Sequence, residues 1–218
     1  MAQPWLDAGY ECWIFDSQHP IGEHREGNLV RVGLSIPDNI AQQSILLTEL
    51  KNKWGTTVEF VFGFPPCTDL AVSGACHFEV KRFVDPLFHY KATELALFVG
   101  RLGEYLGVPW AFENPISVLS TRYRKPDFMF HPWEYGGYLP VDDVHPTYPD
   151  YIAPRDAYPK KTCIWSGGGF VVPSKSEVEC PKGYSTQHKK LGGKSMKTKN
   201  IRSATPRGFA MAVFSANG

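Results

Sequence analysis

Val58-Glu59-Phe60-Val61-Phe62-Gly63-Phe64-Pro65-Pro66-Cys67 and, one helix later, Val108-Pro109-Trp110-Ala111-Phe112-Glu113-Asn114-Pro115 decide how this chain folds. Each is a short apolar run cut off by glycine or proline, the pattern of a buried strand that stops abruptly. Between them, a helical apolar spacing begins near Pro86 or Phe88 and runs to Leu106, where Gly107 ends it. A strand, a long helix and a second strand imply a right-handed crossover and a parallel pair. The expectation is an α/β chain whose mostly parallel sheet carries helices on both faces. Such sheets bind ligands at the carboxyl ends of their strands, and Cys67 and Glu113 both fall there.

Outward from this unit, Cys12-Trp13-Ile14-Phe15 reads as a further buried strand ending at Asp16, after a helix stopped by Gly9. Residues 29–36 alternate like a strand. Asp38-Asn39 can cap a helix over 40–54, with Ile40, Ala41, Ile45, Leu46 and Leu50 on its apolar face. Residues 125–159, rich in Pro, Tyr, His and Trp, read as irregular packed loop. A strand over 162–165 follows, then Gly167-Gly168-Gly169. Thr205-Pro206 reads as the N-cap and first turn of a final helix over 207–214.

The 218 residues set a prior of one domain, or one with an insert. A hydrophobic content of 43% supplies a core and argues against disorder. The apolar runs are too short to span a bilayer, so no membrane association is expected. The start lacks a basic segment followed by an apolar run, which predicts no secretory leader. Five cysteines without Cys-x-x-Cys pairs suit reduced thiols in a cytoplasm. Cys76, His77, His89, His131, His145, Cys163, Cys180 and His188 are scattered without zinc-ligand spacing, so no metal site is expected.

Net charge is +1, yet residues 175–207 are locally basic. Lys189, Lys190, Lys194, Lys197, Lys199 and Arg202 lie within a Gly/Ser/Lys-rich stretch that suits phosphate contacts or, equally, a solvated loop. Cys67 is the sharpest chemical candidate. A strand delivers it onto a proline-stiffened turn, where backbone amides can favour the thiolate. Burial as a small apolar residue is the commoner fate of a cysteine after a strand. Glu113 ends the next buried strand, and a thiol beside a carboxylic acid suits addition to, and protonation of, a heteroaromatic ring.

Gly63-Phe64-Pro65-Pro66-Cys67 with Ser73-Gly74, followed by Glu113-Asn114-Pro115, resembles the Pro-Cys and Glu-Asn-Val motifs of the cytosine-5 DNA methyltransferases. Residues 113–133, with Thr121-Arg122-Tyr123-Arg124-Lys125-Pro126, are similar to a compact phage-type branch. The resemblance implies a Rossmann-like, S-adenosylmethionine-dependent fold over 1–165 and 203–218, with 166–202 as a short basic recognition-like insert. It implies Cys67 as nucleophile on a flipped cytosine, Glu113 at ring nitrogen 3, Pro66 fixing the turn and Asn114 bracing it. Arg122 and Arg124 become candidates for the base oxygen or a backbone phosphate. Asp16, Ser35, Asp38, Pro65 and Thr205 occupy cofactor-side positions, Asp16 as the ribose-binding acid, while Asp38 can instead be a helix cap.

The implied partner is double-stranded DNA, the implied state a monomer, and the implied setting the cytoplasm of a prokaryotic or phage-infected cell. The family's glycine-rich cofactor loop falls before Met1, and Lys160 and Lys161 stand where the family has arginines. Two other functions therefore stay open: a homologue that binds DNA or another partner without chemistry, and an enzyme on free cytosine nucleotides.

Overall fold

Gly9, Gly55 and Gly107, all at positive φ, stand at the ends of three helices, at 3–7, 40–54 and 88–106. The computed structural model describes residues 1–183, 185–192 and 195–218. The first elements are α1 (Gln3–Asp7), β1 (Cys12–Glu26), β2 (Leu29–Gly33), α2 (Ile40–Trp54) and β3 (Val61–Gly63). Then come α3 (Phe78–Val84), α4 (Phe88–Leu106), β4 (Trp110–Pro115), α5 (Leu119–Arg122), β5 (Phe128–Phe130) and β6 (Thr162–Gly167). The chain ends in α6 (Thr186–Lys190), α7 (Met196–Ser203) and α8 (Arg207–Asn217). Among the described residues, no helix is long and apolar enough to cross a membrane.

Two compact units divide the chain. One comprises Trp13–Met129 and Thr162–Phe170; the other, Met1–Cys12, Phe130–Lys161 and Val171–Gly218. The first holds the four-stranded sheet, ordered β3-β4-β6-β5. β3 and β4 pair in parallel, Val61 with Trp110, Phe62 with Ala111 and Gly63 with Phe112. α4 is the crossover between them, and it lies close on the sheet. A Cβ at Gly63 would meet the Val99 side chain at 2.2 Å, and one at Gly103 would meet the Trp110 side chain at 2.4 Å. Phe112 stacks on Trp165 at 5.3 Å, within a core that includes Leu70, Ala96 and Leu119.

The expectation of a mostly parallel sheet needs correction: the fold is α/β, but its larger sheet is mixed. β6 runs antiparallel to β4, pairing Trp110 with Gly167 and Pro115 with Thr162. The chain reaches β6 through a long irregular excursion, without the helical crossover that makes a strand parallel. A second correction concerns residues 12–33. β1 and β2 form a separate two-stranded sheet, linked by the two residues Gly27 and Asn28, and Asp16 lies inside β1 and not at a strand end. The apolar run was misleading because only one face is covered. Trp13 and Phe15 pack edge-on against Trp54 at 5.3 and 5.6 Å, while Ile14 between them is exposed.

In α2 the cap is Asn39, whose side chain accepts from Gln42 N at 2.9 Å; Asp38 is exposed and does not cap. The buried face is Gln43, Leu46, Leu47 and Leu50, so Ile40 (47% exposed) and Ile45 (62%) point outward, contrary to expectation. Gln43 sets this rotation. Its amide donates to the carbonyls of Pro37 (2.8 Å) and Glu94 (3.2 Å), and its oxygen accepts from Arg101, which also pairs with Glu94. A buried amide is accommodated in a core when its hydrogen bonds are satisfied.

In the other unit, Phe209 of α8 stacks on Phe130 at 4.1 Å, and Phe214 meets Trp5 of α1 at 5.1 Å. Thr205 does not cap α8. Pro206 holds the cap position without a side-chain bond, and the acceptor comes from Asp156, which takes Gly208 N at 2.8 Å. Arg207 donates to both oxygens of Asp143 at 2.6 Å. Arg155 and Asp156 hold φ of 53° and 50°, a left-handed pair that costs about 1–3 kcal/mol per residue without glycine. Residues 171–178 lie along the 132–138 turn through Ser176 N to Glu134 O, Gly137 N to Ser176 O and Val178 N to Trp133 O. α6 and α7 follow, with Leu191 and Ile201 packed beside Ile152 and Tyr158.

Candidate functional site

The Pro-Cys turn leaves β3 at Gly63 and is closed by the Cys67 carbonyl, which accepts from Leu70 N at 3.0 Å and Ala71 N at 2.8 Å. Cys67 is thereby held at the first position of the turn, and it is exposed. Leu70, fully buried, anchors the far side of the turn in the core. The burial that usually claims a cysteine after a strand falls here to a leucine three residues later.

β4 ends beside this turn. Because Gly63 and Phe112 are partners, the strands reach the same edge together, and Glu113 is the next residue of β4. Glu113 is half-buried and Asn114 is fully buried. Asn114 Nδ2 donates to the Pro65 carbonyl at 3.1 Å, while its Oδ1 is buried without a hydrogen-bond partner among the described residues. Beyond the strand, the two loops are stitched together. Val72 N donates to Ile116 O at 3.0 Å, Val118 N donates to Leu70 O at 2.9 Å, and Ala71 bridges Ser117. The two main-chain bonds of this bridge and the Asn114 side-chain bond thus fix the cysteine turn against the segment that begins with Glu113.

From α3, Lys81 reaches back to the turn, donating to Thr68 O at 3.0 Å and Asp69 Oδ1 at 2.5 Å. The two arginines after β4 part ways. Arg124 donates to Asp127 at 2.6 Å and to the Ser166 carbonyl at 2.8 Å, and its own carbonyl accepts from Trp165 Nε1 at 2.8 Å. It is committed to the β6 edge. Burial would push the Asp127 carboxyl up, but hydrogen bonds from Arg124 and Ser166 outweigh it and hold it below its ordinary value. Arg122 is exposed, and its Nη2 donates to His89 Nδ1 at 3.2 Å.

Sequence reasoning did not single out Lys81, and it weighed His89 only as a metal ligand. His89 begins a helix with no spacing signal, and its pairing with Arg122 spans 33 residues. It is 5% exposed, stacked on Phe88 at 3.9 Å and met edge-on by Phe78 at 4.5 Å.

The residues expected to hold S-adenosylmethionine lie on several elements. Asp16 Oδ1 accepts from Gln18 N at 2.8 Å in the separate β1–β2 sheet. Ser35 and Asp38 are exposed, the Pro65 carbonyl is taken by Asn114, and Thr205 belongs to the other unit. A cleft of about 580 Å³ runs along α4, lined among others by Arg101, Glu104, Tyr105, Trp110 and Tyr123.

The basic stretch lies in α6 and α7 and the residues around them. Lys189 and Lys199 are exposed, Lys190 donates to Asp150 O at 3.0 Å, Lys197 sits 4.9 Å over the Tyr151 ring, and Arg202 donates to Leu191 O at 2.9 Å. Lys194 lies outside the described residues. No family model matches the chain, and no curated protein or solved structure matches it either.

Proposed function

We propose that this chain acts as a DNA cytosine-5 methyltransferase, with Cys67 as nucleophile and Glu113 as acid. The observation that carries the reading is the parallel β3–β4 pair, whose carboxyl ends bear an exposed cysteine and a half-buried glutamate, tied by the Asn114–Pro65 hydrogen bond. The same strand–helix–strand unit is what supports a Rossmann-like fold. A base inside a duplex is out of reach of such a turn, so the cytosine is extruded before reaction. The Cys67 thiolate then bonds to ring carbon 6. The displaced electron pair moves into the ring, Glu113 gives its proton to nitrogen 3, and carbon 5 becomes electron-rich. S-adenosylmethionine is the methyl source that the resemblance implies. The resemblance assigns Asp16, Ser35, Asp38, Pro65 and Thr205 to the side of the site that would hold it.

The test is transfer of a labelled methyl group from S-adenosylmethionine to duplex DNA, with Cys67→Ser alongside. Transfer that vanishes in the variant is the expected result. No transfer from folded wild-type protein would overturn catalysis on DNA. It would favour the second reading, a DNA-binding relative without chemistry, which Lys160 and Lys161 in place of the family's arginines support. Competition by free cytosine nucleotides identifies the remaining alternative, an enzyme on those nucleotides.

A further inference from the structure

Around His89 the chain gathers more positive charge than it neutralises. Arg122 donates to His89 Nδ1, and Arg82 and Lys81 of α3 act on the same imidazole at electrostatic range. The carboxylate facing it is Asp69, already held by Lys81. Arg82 is exposed, and its ion pair with Glu79 is long at 3.9 Å, between two open side chains. A pair of that kind contributes little.

The imidazole fixes the arrangement. An arginine only donates, so Nδ1 must be the acceptor and the ring must be neutral with its proton on Nε2. Nε2 is buried and has no hydrogen-bond partner among the described residues. Burial, then Arg122 and Arg82, hold the His89 pKa below its ordinary value, which keeps the ring an acceptor at neutral pH. Packed by Phe78 and Phe88, it cannot turn away. One guanidinium is thus aimed by a buried ring, which Arg82 and Asp69 of the Cys67 turn also reach at electrostatic range.

We propose that Arg122 and Arg82 form a phosphate clamp beside the Cys67 turn, with His89 as the positioning residue that orients Arg122. The ligand is a phosphate group attached to the reacting nucleotide, a backbone phosphodiester in DNA or the phosphate of a free nucleotide. The DNA form rests on the function proposed above; the anion site itself does not. A guanidinium fork matches phosphate geometry, and each phosphate neutralised on a duplex adds about 0.9 to the slope of log affinity against log salt.

The test is binding, not catalysis, so it reads independently of methyl transfer. A short duplex oligonucleotide and cytidine 5′-monophosphate are titrated against wild type, Arg122→Gln, Arg82→Gln, His89→Phe and His89→Gln, each checked for folding by its melting curve. For the duplex, Arg122→Gln is expected to bind about tenfold more weakly, with a salt slope smaller by about 0.9. His89→Phe keeps the ring stack but removes the acceptor and is expected to weaken binding about threefold, comparable to part of one charged hydrogen bond. His89→Gln restores an acceptor and is expected to recover it, which a merely structural role would not predict. Loss confined to cytidine 5′-monophosphate keeps the clamp and assigns the free nucleotide as its source. Folded Arg122→Gln with unchanged affinity and slope for both probes overturns the proposal.

Discussion

Asn114 Nδ2 donates to the carbonyl of Pro65 at 3.1 Å, so a single fully buried amide locks the end of β4 to the turn that carries Cys67. Asn114→Ala leaves the half-buried Pro65 carbonyl without this donor, and loss of such a hydrogen bond costs about 0.5–1.5 kcal/mol. Asn114→Asp removes the donor at nearly constant volume. Both variants are expected to melt at lower temperature than wild type, and both are expected to alter the alkylation rate of Cys67 by iodoacetamide. Unchanged thiol reactivity in a folded Asn114→Asp protein would show that the amide does not position the cysteine.

Gly103 lies where α4 crosses Trp110, and its missing Cβ is what lets the helix sit there. A methyl at 2.4 Å from Trp110 must push either the indole or the helix aside, although alanine is the better helix former by about 1 kcal/mol. Overpacking is expected to win, with a net loss of about 1–3 kcal/mol for Gly103→Ala in urea denaturation. A variant as stable as wild type would mean that the β4–α4 contact yields more readily than its geometry implies.

Helix ends were legible because their signals are local. Asn39 caps α2, and Gly107 stops α4, which spans Phe88–Leu106 as its spacing predicts. The direction of β6 was not legible, since it depends on where a long irregular segment returns the chain. Trp13-Ile14-Phe15 looked like a buried strand because composition does not show which faces are covered. At the site, the Cys67 and Glu113 strand ends could be read from two short motifs. The choice between Arg122 and Arg124 could not, because it turns on Asp127, Ser166 and His89, and two of those partners are distant in sequence.

Asp156 gives the fold a pH dependence opposite to the usual one for carboxylates. Burial raises its pKa to about 6, against an ordinary 3.8, despite hydrogen bonding from Gly208 and the nearby Arg207. Between those values the folded protein holds a proton that the unfolded chain has lost. The Asp156 contribution is therefore largest below pH 4, declines as pH rises toward 6, and is flat above. The decline amounts to about 2–3 kcal/mol, from about 1.4 kcal/mol per pKa unit. Asp156→Asn keeps an acceptor for Gly208 N and removes the ionisation. Its stability relative to wild type is expected to improve from pH 4 to pH 6.5, measured by urea unfolding across that range. A difference independent of pH would place the Asp156 pKa near its ordinary value.

The base-side chemistry proposed for Cys67 and Glu113 can be read without a methyl donor. Addition of the thiolate to carbon 6 makes carbon 5 electron-rich, so carbon 5 takes a proton from solvent and, when the thiol leaves, loses one of its two hydrogens. Duplex DNA labelled with tritium at cytosine carbon 5 is therefore expected to release label to water in the presence of this chain alone. Cys67→Ser is expected to abolish release, because no bond to carbon 6 forms. Glu113→Gln keeps the shape but lacks the proton for nitrogen 3, and is expected to slow release by about 10²–10³, the usual cost of removing one charge-stabilising donor. Release that persists in Cys67→Ser would exclude this thiol as the nucleophile. Release by wild type without methyl transfer would locate the deficit on the donor side and leave the thiol–carboxyl pair intact.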